Sequence, residues 1–312
     1  MAYIIATANM KGGVGKTTLT VNLAAALAKH HGKRVLVVDL DSQISATLSL
    51  VSPHKFDKLR KEKRTLKYLV NQVIQPFGES KTYIKDAIEP YIGNVKGLDL
   101  LSGDIDIYDE FMVSEILHQK ALRFVKDDFQ QVWNQLEFGL IREILQPAMT
   151  DYDFIILDCA PGYSLLTRSA LVCSDFYLLP AKPEPLSIIG IQLLERRINR
   201  LRETYKFDNP LQIELIGIAF TLSGNLLSGR YYKQVMRRVH DDFGKAKIFT
   251  TRIPEDVNVS KAVDRFQPVV FAHPKSSGAQ AFVKLSQEFL HKLQTIMDMR
   301  QQKSKLNLVN LD

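Results

Sequence analysis

The sequence predicts an α/β fold, a doubly wound and mostly parallel sheet with helices on both faces, three layers in all. Strand-like runs alternate with amphipathic helical stretches along the chain. Most of the strand runs are nearly continuous hydrophobic segments, as strands covered on both faces should be. A glycine-rich turn, Asn9 to Thr18, joins the first of these runs to the first helical one. A chain of 312 residues, 46% of them hydrophobic, can bury a core of this kind in one unit. We expect one domain over residues 1–300 and a flexible tail over 301–312.

Tyr3 to Ala8 is the expected first strand and Leu19 to Lys29 the helical run after it. Further strands are expected at Arg34 to Asp39, Leu98 to Leu101, Phe154 to Asp158, Phe176 to Pro180, Leu215 to Leu222 and Lys247 to Thr250. The more polar stretch from His54 to Lys96, and that from His118 to Glu137, read as helices or loops outside the sheet. No repeat or low-complexity tract interrupts the pattern. No apolar run approaches the roughly 18 residues that a membrane span needs. Lys11 and its neighbouring glycines break the only apolar stretch near the amino terminus, so a secretory leader is not expected. Two cysteines, Cys159 and Cys173, cannot build a disulfide framework and are expected to be reduced, packed thiols.

The turn reads N-M-K-G-G-V-G-K-T-T. An ordinary phosphate loop is G-x-x-x-x-G-K-[ST] with one lysine; here Met10 stands at the first glycine, and Lys11 is added in front of Lys16. Gly12, Gly13 and Gly15 free the backbone to turn successive amides onto phosphate oxygens. The start of the next helix adds the positive end of its dipole. Lys16 supplies a mobile charge and Thr17 a magnesium ligand. Thr18 serves either the α phosphate or the helix start, and Lys11 alone reads as a solvated loop lysine.

Asp39 and Asp41 close the second strand, where the alternation puts both on one side, at the sheet end where ligands of such folds sit. A capping or turn role is the competing reading. Asp158 ends the run F-I-I-L-D, where a carboxylate can bind magnesium through water and accept a hydrogen bond from Thr17; a purely structural partner is its alternative.

These motifs resemble the ParA/MinD family of deviant Walker A ATPases. Lys33 to Thr47, K-R-V-L-V-V-D-L-D-S-Q-I-S-A-T, is similar to the family's D-x-D-P-Q segment, with Ser42 in place of the proline. Gly97 to Leu117, the D-C-A-P after Asp158, and Ile253 to Leu290 with I-P-E-D-V and P-K-S-S-G-A-Q-A-F match later family signatures in order. The resemblance covers about three quarters of the chain and implies a P-loop NTPase of ParA type using ATP and Mg2+. It implies nucleotide contacts from Lys11, Gly12, Gly13, Val14, Gly15, Lys16, Thr17, Thr18 and Pro254, with Thr17, Asp39 and Asp158 toward the metal. Asp41 would orient or activate the attacking water, alongside Lys11 and Lys16 in the catalytic set. Lys11 would cross a two-fold interface to the partner's ATP, which makes ATP a dimerisation signal.

A net charge of +7 and a pI near 9.2 favour an anionic partner. Arg196, Arg197, Arg200 and Arg202 lie on one expected helix; Arg230, Lys233, Arg237 and Arg238 lie on another, where Arg230, Lys233 and Arg237 share a face. Such a stripe suits sequence-independent, salt-sensitive DNA binding. Glu255 and Asn258 stand where DNA-binding relatives carry arginines, and Lys261 restores part of the charge. The resemblance implies a weak ATPase, cytoplasmic and nucleoid-associated, that positions a plasmid, chromosome or organelle with a ParB-like adaptor. A MinD-like membrane-bound division regulator is the alternative, disfavoured by a carboxyl-terminal N-L-V-N-L-D lacking Phe and Trp. Metallocluster relatives are disfavoured by the cysteines. Because the first strand starts within a few residues of Met1, a preceding operator-binding helix-turn-helix is not expected.

Overall fold

The computed structural model describes residues 1–75, 82–107, 113, 115, 116, 118, 119, 122, 129–207, 209–221 and 230–309, with backbone only over 230–232 and 303–309. Six strands, β1 (Tyr3–Thr7), β2 (Val35–Asp39), β3 (Leu98–Leu101), β4 (Phe154–Asp158), β5 (Phe176–Ala181) and β6 (Glu214–Phe220), form one sheet in the order β3-β2-β4-β1-β5-β6. Every pairing between them is parallel. The helices of nine or more residues are α1 (Lys16–His31), α2 (Pro53–Lys61), α3 (Leu66–Ile74), α4 (Phe129–Leu145), α5 (Leu165–Cys173), α6 (Pro185–Thr204), α7 (Arg230–Phe243) and α8 (Ser277–Val309).

The two faces carry separate cores, because successive strand residues point to opposite sides. Ile4, Ala6, Ile155 and Leu157 pack with apolar residues of α3 to α7. Ile5, Val37 and Ile156 pack with α1 and α8. The alanine-rich stretch of α1 is buried throughout, which lets the helix lie close between sheet and α8. Gly15 and Gly32, at φ 79° and 61°, bound α1 in left-handed conformations that a side chain would strain. Lys29, His30 and His31 in the last turn complement its dipole. On the other face the fully buried Glu137 of α4 pairs with Arg168 of α5 and accepts from the Tyr205 hydroxyl at 2.9 Å and Trp133 Nε1 at 3.3 Å.

One expectation needs correction. Lys247 to Thr250 is not a seventh strand: Lys245–Lys247 is a 3-10 turn, and one isolated bridge joins Ile248 to Ile218. The Phe249 ring lies where a Cβ of Gly217 would be, and the amides of Thr250 and Thr251 donate to the Glu288 carboxylate, which ends the pairing. The backbone of residues 301–309 continues α8 as helix. Arg300 anchors the helix there, over the Phe176 ring and on Gln212 O and Glu214. Residues 310–312, Leu222 and most of 118–128 lie outside the described residues.

Candidate nucleotide site

The carboxyl ends of β1, β2 and β4 bring the site together, since Thr7 pairs in register with Asp158 and Asp158 with Asp39. The loop after β1 is pinned from both flanks. Asn9 donates to Pro180 O at 2.7 Å and accepts from Lys11 N at 2.9 Å. Thr221, just beyond β6, donates its hydroxyl to Val14 O at 2.7 Å. Gly13 and Gly15 are both left-handed, at φ 69° and 79°, and a Cβ on Gly15 would come within 3.2 Å of Thr221 Oγ1. This is the tight, amide-rich cradle that the glycines predict.

Lys16 is buried and its ammonium rests on Lys11 O at 3.1 Å. Burial lowers its pKa, with Asp158 and Asp41 opposing. Lys11 points away from this cradle to form an ion pair with Glu184, the residue before α6. Thr17 and Thr20 donate to the two oxygens of Asp158, at 2.7 and 3.1 Å. Asp39 accepts from Thr47 N and Thr47 Oγ1, both at 2.8 Å, and from Asp41 N at 3.2 Å. Asp41 accepts from Gln43 N, in a turn that leads to Ile44 at φ 48°. A β-branched residue in that conformation is strained, so the segment that carries Asp41 holds stored energy.

Asp39 and Asp158 are both fully buried. Burial pushes both carboxyls upward; for Asp158 the charge of Asp39 adds to it, and for Asp39 the hydrogen bonds from Thr47 and Asp41 oppose it. Two buried carboxyls beside a threonine hydroxyl, with no bond between them to share a proton, fit a divalent cation held partly through water. Beside the loop, a cavity of about 360 Å³ is lined by Gly15, Thr18, Thr221, Pro254 and Asp256 among others. Thr18 and Pro254 thus meet at one cavity beside the loop.

The structure thus gathers Lys11 to Thr18, Asp39, Asp41, Asp158 and Pro254 at one end of the sheet. The basic residues stand apart from that cluster. Lys233 and Arg237 are exposed and share a groove, and Arg237 also lines a second hollow with Arg238, Gln192 and Asp242. Lys261 is exposed on the short helix Val257–Val263, and the Arg230 side chain lies outside the described residues. Sequence reasoning missed Glu184, Thr47, Thr221 and Asn9. Of these, only Asn9, inside the loop motif, was within reach of a local pattern.

The "AAA domain" family model matches residues 2–213. The chromosome partitioning protein ParA of Caulobacter vibrioides is 30% identical over 291 residues, covering 92% of this chain and 93% of that protein. Among solved structures, cobyrinic acid a,c-diamide synthase of Mycobacterium smegmatis with bound ADP and magnesium superposes with TM-score 0.64 at 25% identity, covering 94% of this chain and 96% of that one. The cell division ATPase MinD of Pyrococcus furiosus superposes with TM-score 0.60 at 25% identity, covering 94% and 100%. Loop, carboxylates, sheet order and relatives agree, and the chain belongs to the ParA/MinD family of P-loop ATPases, which work with ATP and magnesium.

Proposed function

We propose that the chain is a ParA-type ATPase that dimerises around ATP, holds DNA in that state without sequence preference, and positions a cargo with an adaptor protein. The observation that carries this reading is the division of labour between the two lysines. Lys16 lies within its own cradle, while Lys11 sits at the loop edge, its side chain about a third exposed and turned out of the site. A cation so placed is spare for its own nucleotide and available to one facing it.

In the proposed cycle the loop amides from Gly12 to Gly15 and the Lys16 ammonium hold the β and γ phosphates. Thr17, Asp39 and Asp158 would hold magnesium, which when bound neutralises charge developing on the phosphates. Asp41 orients the attacking water rather than deprotonating it, since a carboxylate beside a metal and a triphosphate is a weak base. Weak turnover follows, and an adaptor that relaxes the strained Asp41–Ile44 turn would stimulate it. We place the protein in the cytoplasm on nucleoid DNA, in line with its basic balance. Among the described residues no helix is long and apolar enough to cross a membrane.

Sedimentation of wild type and Lys11→Ala with ATP and magnesium tests the dimer. The wild type should dimerise and the variant should bind nucleotide yet stay monomeric. Normal ATP-dependent dimers of Lys11→Ala would overturn the reading. Filter binding to random DNA beside liposome flotation tests the partner, and retention on liposomes without DNA binding would favour the MinD-like alternative.

A further inference from the structure

Asp39 sits at the end of β2 with no solvent around it, and its orientation is set by the groups that donate to it. A carboxylate offers about four lone-pair sites, two on each oxygen. Both sites of Asp39 Oδ2 are taken by Thr47, through its amide and its hydroxyl at 2.8 Å each. Asp41 N takes one site of Oδ1 at 3.2 Å. Among the described residues, the one lone pair left over is therefore on Oδ1.

Thr47 is itself fully buried, and its hydroxyl works in both directions. It donates to Asp39 Oδ2 and accepts from Gly103 N at 3.0 Å. Gly103, in the loop after β3, lies directly against the aspartate: a Cβ there would come within 3.0 Å of Asp39 O and 3.1 Å of Asp39 Cγ. That loop is fixed in turn at the start of α3. Ser102 O accepts from Leu66 N at 2.9 Å, and the buried Asp104 accepts from Thr65 Oγ1 at 2.7 Å. Thr47 belongs to a helix of only four residues, Ser45–Leu48, that follows the turn at Ile44. Its anchor is thus the β3 loop, through a hydroxyl, rather than a long helix of its own. A valine fills the same space but can neither donate nor accept. It would leave Asp39 Oδ2 with one donor and Gly103 N buried without an acceptor.

We propose that Thr47 is a positioning residue for the metal centre: its hydroxyl ties Asp39 Oδ2 to the β3 loop and leaves Oδ1 as the oxygen free for a cation or its water. The proposal rests on the reading that Asp39 helps to hold magnesium, and it names the group that presents that carboxylate. Partners that orient a metal ligand in this way typically govern affinity by about 10- to 100-fold. Thr47 lies eight residues beyond Asp39, outside the D-L-D-S-Q segment and outside the phosphate loop.

The test uses the full chain with a non-hydrolysable ATP analogue. Calorimetry in chelator gives the analogue's affinity, and thermal shift across a magnesium chloride series gives the half-saturating magnesium concentration. Wild type is compared with Thr47→Val, Thr47→Ser and Thr47→Cys. Thr47→Val should bind the analogue in chelator within a few-fold of wild type yet need about 10- to 100-fold more magnesium. Thr47→Ser keeps the hydroxyl and should return to within a few-fold of wild type. Should Thr47→Val not fold, the Ser and Cys variants decide, since a thiol is a weak donor and a weak acceptor: the Cys variant should show the rise and the Ser variant should not. An unchanged magnesium requirement in Thr47→Val or Thr47→Cys overturns the proposal. So does a Thr47→Ser variant that shares the loss, or analogue binding in chelator that weakens as much as the magnesium response, which is the mark of a merely structural residue. A wild-type complex that ignores magnesium overturns the metal reading itself.

Discussion

Asp39→Asn should make the nucleotide-free protein more stable while removing its response to magnesium. Asp39 is fully buried, and burial, opposed by hydrogen bonds from Thr47, pushes its carboxyl up to about 6. Keeping so buried a carboxyl ionised at neutral pH, beside a second buried carboxyl, costs on the order of a few kcal/mol. The Asn oxygen can still accept from Thr47 N and Oγ1. Its amide cannot accept from Asp41 N as Asp39 Oδ1 does, a loss of about 1 kcal/mol. The net gain is about 2 kcal/mol, or a rise in Tm of roughly 3–5 °C for a chain of this size. The sign of the pH effect follows. A carboxyl held above its unfolded value stabilises the fold at low pH and loses that contribution as pH rises through about 6. The wild type without nucleotide should therefore lose stability from pH 5 to pH 8 more steeply than Asp39→Asn. Differential scanning fluorimetry in chelator, with ATP alone and with ATP plus magnesium, reads all three effects. A variant that melts below wild type in chelator, or that keeps the extra shift from magnesium, would refute the reasoning.

Glu184→Gln frees Lys11; both side chains are more than about a third exposed, so the pair is worth roughly 0.5–1 kcal/mol. Two such pairs per dimer should tighten ATP-dependent dimerisation about 5- to 30-fold in sedimentation, and a weaker dimer would instead place Glu184 in the interface. Thr221→Val leaves Val14 O without its donor and should lower ATP affinity by about tenfold in calorimetry; unchanged affinity would show that the loop holds its shape without β6. Arg168→Met strands the charge of Glu137 and should cost about 3–5 kcal/mol in urea unfolding, most of it recovered by adding Glu137→Leu. Failure of that recovery would mean that Arg168 stabilises through its contacts with the Tyr163 and Trp133 rings.

The parts of the molecule that follow from neighbours in sequence could be read before any coordinates. The phosphate loop is one, because its glycines and lysines act within ten residues. The Asp39, Asp41 and Asp158 positions are another, because strand alternation and strand ends place them. What could not be read is what reaches across the fold. Glu184 meets Lys11, and Thr221 meets Val14, only because β5 lies beside β1 and β6 next beyond it. The run at Lys247 to Thr250 has strand composition, yet Phe249 fills the space left open by Gly217 and Glu288 captures the next amides. Arg238 shares one hollow with Arg237 but does not reach the groove that Arg237 shares with Lys233, since adjacent helical residues point about 100° apart.

The tie from Thr221 to Val14 spans 207 residues, and that from Asn9 to Pro180 spans 171. During synthesis the loop is made 171 residues before Pro180 and 207 before Thr221, and it waits for both. At about 5–20 residues per second, that interval is on the order of 10 to 40 seconds. A nascent chain carries the nucleotide motif long before it owns a nucleotide site. Ribosome-bound fragments ending before Thr221 should therefore not sequester ATP.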